Sequence, residues 1–386
     1  MQDIQKKVEA EFSKRFSSSP ALYYSPGRIN LIGEHVDYND GFVMPAAIDK
    51  GVWYAISSND TDTMNFYSID FDESLSMKVK DVKKMDGWKN YVLSVVNEFL
   101  LRKIDIKGFD CVFGGNIADG AGMSSSAAVE GGIAMGLNEL FNGGIEKPAL
   151  ATLCQSAEHN YPAVNCGIMD QFANMMGRQD QVILLDCMTL NYEYFPLRLE
   201  DLSIVLINTK VHHSLASSEY NKRRSECDEG LLIMKKKSGI NSFRDVSREE
   251  LDNFKDTMGE KIYNRCLFVV EEIARTQKAA KLLQAGDLTA FGKLMYEAHL
   301  GLSNLYEVSC KELDFLVEQA RLNEAVVGSR MMGGGFGGCT INLVKTDAVD
   351  DFLSTAIAAY KQKFQIDPEV YKVKTVDGTH KLNPGS

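Results

Sequence analysis

Apolar residues at Ile4, Val8, Phe12 and Phe16 recur every fourth position among charged neighbours, a spacing that predicts an amphipathic helix over residues 2–16. Ser17, Ser18, Ser19 and Pro20 then form a loop. Runs at 21–25, 42–48, 51–57 and 64–69 read as strands. A further strand at 110–113 leads through Gly114, Gly115 and Asn116 into a glycine- and serine-rich loop, after which 125–140 returns to a helical pattern. Helices are also expected at 149–160 and 170–176, and strands at 181–186 and 202–208. The second half carries long charged amphipathic helices, at 217–237 and between 260 and 322. A glycine cluster, a strand at 339–344, a helix at 348–364 and a strand at 370–376 close the pattern.

Antiparallel-looking strands and grouped helices argue an α+β fold rather than a regular βαβ winding. At 386 residues the chain exceeds one ordinary core, so two domains are expected, 1–190 and 191–386, although no Pro/Ser linker marks that boundary. Neither an internal repeat nor a low-complexity segment interrupts it.

Composition narrows the partners. With 42 Lys+Arg against 53 Asp+Glu the formal charge is −11, which disfavours nucleic acid and anionic membranes. An anionic substrate would need a pocket that reverses this field, whereas a neutral sugar would not. The eight cysteines contain no C-x-x-C pair, which argues against zinc and for buried, reduced thiols. The first sixteen residues lack the apolar core of a signal peptide, and no apolar stretch is long enough to span a bilayer, so a cytoplasmic protein is expected.

Three segments could carry chemistry. The first runs from Asp119 through Gly120, Ala121, Gly122, Met123, Ser124, Ser125 and Ser126 to Ala128, between a strand and a helix. Glycines admit an anion close to the backbone, the helix start offers open N–H donors, and a serine hydroxyl can ligate magnesium. The pattern is not a Walker loop. A plain serine cap on a closely packed helix explains it equally well at this stage. The second segment, Gly333 to Gly338, satisfies G-x-G-x-x-G, but the strand-like Cys339–Val344 follows it where a dinucleotide fold requires a helix. A turn whose backbone passes close to a ligand or another loop fits better, with a purely structural hairpin as the alternative. The third spans Pro26 to Asn39, where Arg28, Asn30, Glu34, His35 and Asp37 interleave with Ile29, Leu31, Ile32 and Val36. Each could be solvated alone; as a set, a shared polar site is the economical explanation.

Together these segments resemble the galactokinase branch of the kinase superfamily named for galactokinase, homoserine kinase, mevalonate kinase and phosphomevalonate kinase (GHMP). PGRINLIGEHVDYNDGFVMPAAI is similar to the N-terminal signature of galactokinases, GAGMSSSAAVE to the superfamily phosphate loop, and GSRMMGGGFGGCTINLV to its C-terminal glycine motif. CQSAEHNYPAVNCGIMDQF and HHSLASSEYNKRR also resemble galactokinase segments, and the matches run in order from about residue 21 to 344.

The resemblance implies a two-domain GHMP fold, with a ribosomal-protein-S5-like first domain, a ferredoxin-like second domain and the active site between them. It implies ATP-dependent, Mg²⁺-dependent phosphorylation of galactose at its anomeric hydroxyl by a monomer. Gly120 to Ser126 would wrap the ATP phosphates, and Ser126 and Glu158 would hold the metal. Asp170 would be the base, with Arg28 beside it. Glu34, His35, Asp37, the Gly167 backbone and Tyr220 would bind the sugar hydroxyls. Trp88 and Tyr91 match positions that pack against adenine, with Ser68 nearby. On local sequence alone, Tyr220 reads as an ordinary helix residue and the two aromatics as core. His159 reads as helix packing, and His212 and His213 are left unassigned. The family's usual Pro-Leu before the loop is Ala118-Asp119 here, so Asp119 is expected to face solvent. Rival readings are a kinase for another sugar, such as N-acetylgalactosamine, and a non-catalytic galactose sensor. The intact Ser124 to Ser126 run, Glu158 and Asp170 speak against the sensor.

Overall fold

The structure, a computed structural model, describes residues 2–118, 120–211 and 216–383. After α1 (Gln2–Arg15) the chain lays down β1 (Ala21–Asn30), β2 (Phe42–Val43), β3 (Pro45–Ser58), β4 (Thr63–Ser68) and β5 (Glu73–Lys78). Next come α2 (Trp88–Leu101), β6 (Phe109–Gly115), α3 (Ser125–Leu140), α4 (Lys147–Asn160), α5 (Met169–Met176), β7 (Gln181–Asp186), β8 (Tyr192–Pro196) and β9 (Leu202–Asn208). The helices α6 (Ala216–Ser238), α7 (Arg248–Asp252), α8 (Lys255–Ala285), α9 (Leu288–Asn304) and α10 (Lys311–Arg321) follow. The remainder is β10 (Val326–Met331), β11 (Cys339–Lys345), α11 (Val349–Phe364), β12 (Glu369–Val373) and β13 (His380–Lys381).

One sheet has the order β13-β1-β3-β6-β4-β5, with only β4 and β6 parallel. Alternation along its strands explains how both faces are covered. Tyr23, Tyr54 and Ile56 point to the main core shared with α3, while Tyr24, Trp53 and Ala55 point to a smaller core with Val8 and Phe12 of α1. Helix α3 comes very close to the sheet because Gly132 and Gly136 face it. A Cβ on either would lie 2.1 Å from the Tyr54 ring and 2.4 Å from Ile56, respectively. The second sheet, β10-β11-β9-β12, is antiparallel. Ile204, Leu206, Ile341 and Leu343 meet Phe291, Leu294 and Met295 of α9 on one face. Val205, Ile207 and Val344 meet Leu316 of α10 and Phe352 and Tyr360 of α11 on the other. A third, small sheet has the order β2-β7-β8, with β7 against β3 of the first.

The pattern-based elements are largely present, with informative differences. Residues 42–48 and 51–57 belong mostly to one long strand, β3, which continues through Lys50 and Gly51. The 260–322 helical region is cut at Gly286, whose left-handed φ of 74° caps α8. The pattern did not predict α2, β5, β8, α7, β10 or β13. The chain also crosses back over the expected division at 190: β13 pairs with β1, and Thr375 bridges to Ile48 of β3.

Candidate active site

The site begins at a defect in β1. Proline has no N–H to donate, and the pairing of β1 with β3 slips between Pro26 and Arg28. A Cβ on Gly27 would lie 2.6 Å from the Met123 carbonyl, so a glycine lets this strand touch the glycine–serine loop. The Arg28 amide donates to the same carbonyl at 3.0 Å. Arg28 is buried, and its side chain joins two more elements. Nε and Nη2 donate to the two oxygens of Asp170, each at 2.7 Å, while Nη1 donates to the Gly122 carbonyl. Asp170 sits in the first turn of α5, its side chain 26% exposed toward the cavity.

The glycine–serine loop resolves the choice left open by its sequence. Gly120, Gly122 and Ser124 have left-handed φ values of 67°, 70° and 59°. Ser124 stands at the cap position of α3 but makes no capping bond, and its buried Oγ has no hydrogen-bond partner among the described residues. The N–H groups of the first turn are therefore not closed by a serine cap, which is what an anion-binding helix start requires. Ala121 and Met123 anchor the loop in the core beside Met332 and Cys339. Ser125 and Ser126 stay half-buried at the helix start. Asp119, His212 and His213 lie outside the described residues.

Behind the loop, Glu158 of α4 is buried and accepts from the Gln171 amide at 2.6 Å. Burial, then the Asp170 charge, pushes its carboxyl up to about 7, against hydrogen bonds from Ser126, Cys166 and Gln171. Ser126 and Glu158 thus share one side of the loop. Among the described residues no group of three or more His, Cys, Asp or Glu is placed to hold a metal. Two protein oxygens still suit Mg²⁺, which keeps several waters and takes phosphate oxygens.

A cavity next to Asp170 is lined by Arg28, Glu34, His35, Asp37, Cys166, Gly167, Met169, Tyr220, Gly333 and Gly334. All five expected sugar contacts meet here. Gly167 abuts Asp37 so closely that a Cβ would lie 2.0 Å from Oδ2. Burial, then Asp170 and Glu34, pushes the Asp37 carboxyl up to about 7. Glu34 is buried and accepts at Oε1 from the Gly333 amide (2.9 Å) and from Arg330 Nη2 (3.0 Å). The His35 ring is engaged on both sides, by Tyr38 Oη at 2.6 Å and by the Gly334 carbonyl at 3.2 Å. A carbonyl only accepts, so Nε2 carries the proton and Nδ1 accepts from Tyr38. Burial holds this imidazole down to about 3, in keeping with a neutral ring. Tyr220 of α6 packs over His35 and Tyr38, with ring centroids 5.3 and 5.4 Å apart.

The glycine-rich turn closes the cavity and backs the loop. Gly333 and Gly338 would each place a Cβ 3.3–3.4 Å from carbonyls of Gly122 and Gly120. This is the backbone-to-backbone approach expected of the motif, so the plain-hairpin alternative fails. The residues proposed for adenine are less exposed to ligand. Trp88 is buried edge-on to Phe113 at 5.4 Å, and its indole N–H donates to Glu73 at 3.1 Å. Tyr91 is half-buried on α2, and Ser68, at the end of β4, is buried, with no hydrogen-bond partner for its Oγ among the described residues. His159 Nε2 bonds the Cys166 carbonyl at 2.8 Å, the packing role expected of it. Sequence reasoning passed over Arg330, Gln171 and Tyr38, all inside quoted motifs. A lone charge in an apolar strand was the signal available for Arg330.

An uncapped helix start, an Arg–Asp pair and a buried polar cavity under one glycine turn define a small-molecule kinase of the GHMP class. Comparison with known proteins agrees: the GHMP kinase N-terminal domain matches residues 90–178 and the C-terminal domain 279–362. The galactokinase galactose-binding signature matches residues 10–58. Galactokinase of Clostridium beijerinckii is 41% identical over 384 residues, covering 97% of this chain and 98% of that one. That of Thermotoga petrophila is 40% identical, covering 93% and 99%. The chain belongs to the galactokinase family. Among solved structures, Lactococcus lactis galactokinase complexed with galactose superposes with a TM-score of 0.95 at 37% identity, covering 98% and 99%. Mevalonate kinase of Methanococcus jannaschii, at 17% identity and a TM-score of 0.67, shares the fold.

Proposed function

We propose that this sugar kinase transfers the γ-phosphoryl group of ATP to the anomeric hydroxyl of galactose, with Asp170 as the base. The observation that carries this reading is the Arg28–Asp170 pair, set between the cavity and the loop. Bidentate pairing holds the Asp170 carboxylate in one orientation beside the cavity. The sugar hydroxyl gives its proton to Asp170 as its oxygen bonds to the γ-phosphorus, and the bond to ADP breaks. Arg28 offsets charge that builds on the transferring group. Gly120 to Ser126 hold the phosphates through backbone N–H groups and serine hydroxyls. Glu34, Asp37, the Gly167 backbone and Tyr220 hold the sugar; His35, expected to bond a hydroxyl too, has both ring nitrogens engaged by Tyr38 and Gly334 and forms the wall beside them instead.

Ser126 and Glu158 would hold Mg²⁺, which supplies charge neutralisation on the phosphates when bound. Ser68, Trp88 and Tyr91 are proposed for the adenine end. Galactose as the sugar is supported by the galactose complex of the Lactococcus lactis relative. No helix among the described residues is long and apolar enough to cross a membrane. We place the protein in the cytoplasm as a monomer, with domains 1–190 and 191–386, the last strand of the second domain returning to complete the sheet of the first. The test is an ATP- and Mg²⁺-dependent assay for sugar 1-phosphate on wild type and Asp170→Ala. Loss of transfer with retained galactose binding supports the reading; full activity in Asp170→Ala ends it.

A further inference from the structure

Glu34 lies in the cavity beside two other carboxylates, Asp37 and Asp170, and only 1% of it is exposed. A carboxylate so placed requires partners that hold both its charge and its direction. Its partners come from the other half of the chain and converge on a single atom. Oε1 accepts from the Gly333 N–H at 2.9 Å and from Arg330 Nη2 at 3.0 Å, and no hydrogen bond from a described residue reaches Oε2.

Arg330, on β10, is completely buried and does not line the cavity. Its guanidinium is fixed by backbone carbonyls: Leu31 at 2.8 Å, Met331 at 2.6 Å, and Asn30. Two of these belong to the segment that carries Glu34. The planar fork therefore has one orientation available, and that orientation sets the rotation of the carboxylate.

We propose that Arg330 is a positioning residue for sugar recognition. By taking Oε1 together with the Gly333 amide, it leaves Oε2 as the one acceptor that Glu34 presents, and so sets which sugar hydroxyl Glu34 reads. This rests on the galactokinase reading above.

The test measures kcat/KM for galactose and its 2-, 3-, 4- and 6-deoxy forms. In wild type, losing the hydroxyl read by Glu34 costs roughly ten- to a hundredfold, the worth of a hydrogen bond to a charged group. Glu34→Gln identifies that hydroxyl, because its own deoxy penalty shrinks most there. Arg330→Lys is expected to collapse the same penalty to within about threefold of galactose, leave the other deoxy penalties in place, and keep the KM for ATP within about twofold. A folded Arg330→Lys with the wild-type penalty, or with all penalties shrunk alike, overturns the proposal. Should Arg330→Lys fail to fold, a wild-type crystal structure with galactose decides. Oε2 on one sugar hydroxyl with Oε1 still on Arg330 supports it, and sugar bound at Oε1 refutes it. Absence of galactose turnover in wild type would instead sink the underlying reading.

Discussion

Arg28 and Asp170 lie 142 residues apart in sequence yet share two parallel hydrogen bonds of 2.7 Å. The third arm of the same guanidinium holds the Gly122 carbonyl, so one side chain fixes the base relative to the phosphate loop. Lysine cannot reproduce this, since an ammonium has no planar fork. Arg28→Lys should lower kcat by about a hundredfold or more while moving the KM for galactose far less. Asp170→Asn, which removes the base, should lower kcat by roughly 10²–10⁴-fold. Steady-state kinetics on both substrates check both values, and an equal rise in the two KM values with kcat intact would contradict the assignment.

Asp37 makes the sugar pocket sensitive to pH. Its carboxyl is held at about 7, above the ordinary carboxylate range, by burial and by the charges of Asp170 and Glu34. A raised value means that Asp37 keeps its proton below about 7 and becomes a full acceptor only above it. Sugar kcat/KM should therefore rise as pH increases through neutrality. Stability runs the other way. The favourable contribution is complete below the unfolded value, about 3.9, and fades as pH climbs toward 7. In Asp37→Asn, sugar kcat/KM should be low, with the rise attributable to this group gone. A pH profile unchanged in shape would place the titration elsewhere.

Much of the site was legible because its chemistry is written in short segments. Arg28, Glu34, His35 and Asp37 fall within ten residues, and the loop from Gly120 to Ser126 is contiguous. What could not be read was support arriving from a distance. Arg330 grips the Asn30 and Leu31 carbonyls from 299–300 residues away, and no local pattern announces such a partner. The missed elements have equally physical causes. In α2, Trp88, Val92, Leu93, Val95, Val96 and Phe99 are all buried, so the helix is apolar around most of its girth and its period is blurred. β13 is two residues long and exists only because β1 offers it an edge.

Glu130 illustrates a cost carried inside the fold. It follows Ser126 by one helical turn and is fully buried, and its carboxyl faces the Gln171 side chain without a well-formed hydrogen bond from any described residue. Burial, then the Glu158 charge, pushes its carboxyl well above the ordinary range, so it stays protonated in the folded protein. The folded state then holds a proton that the unfolded chain releases above about pH 4.3, and stability falls as pH rises past that point. Glu130→Gln removes the ionisation. It should stabilise the protein by about 1–3 kcal/mol at neutral pH, with the gain vanishing near pH 4. Urea denaturation at both values tests this, and a destabilised variant at neutral pH would show that a charged Glu130 is needed.

Gly167 supplies the last prediction, because its role divides the sugar site from the nucleotide site. Its missing side chain is the space that Asp37 occupies: an added Cβ would meet Oδ2 at 2.0 Å and Cγ at 2.2 Å. The φ of Gly167 is not left-handed, so alanine there has no backbone strain to account for, and the whole effect must come from displacing Asp37. Overpacking of this kind costs about 1–3 kcal/mol, or roughly five- to a hundredfold in kcat/KM for galactose. The KM for ATP should stay within about twofold, since the phosphate loop rests on Gly27, Gly333 and Gly338 instead. Asp37→Gly in the Gly167→Ala background removes every Asp37 atom the added Cβ would meet, the Asp37 Cβ at 2.7 Å included. That double variant should therefore lose no more than Asp37→Gly alone, whereas independent losses that multiply would refute the steric account.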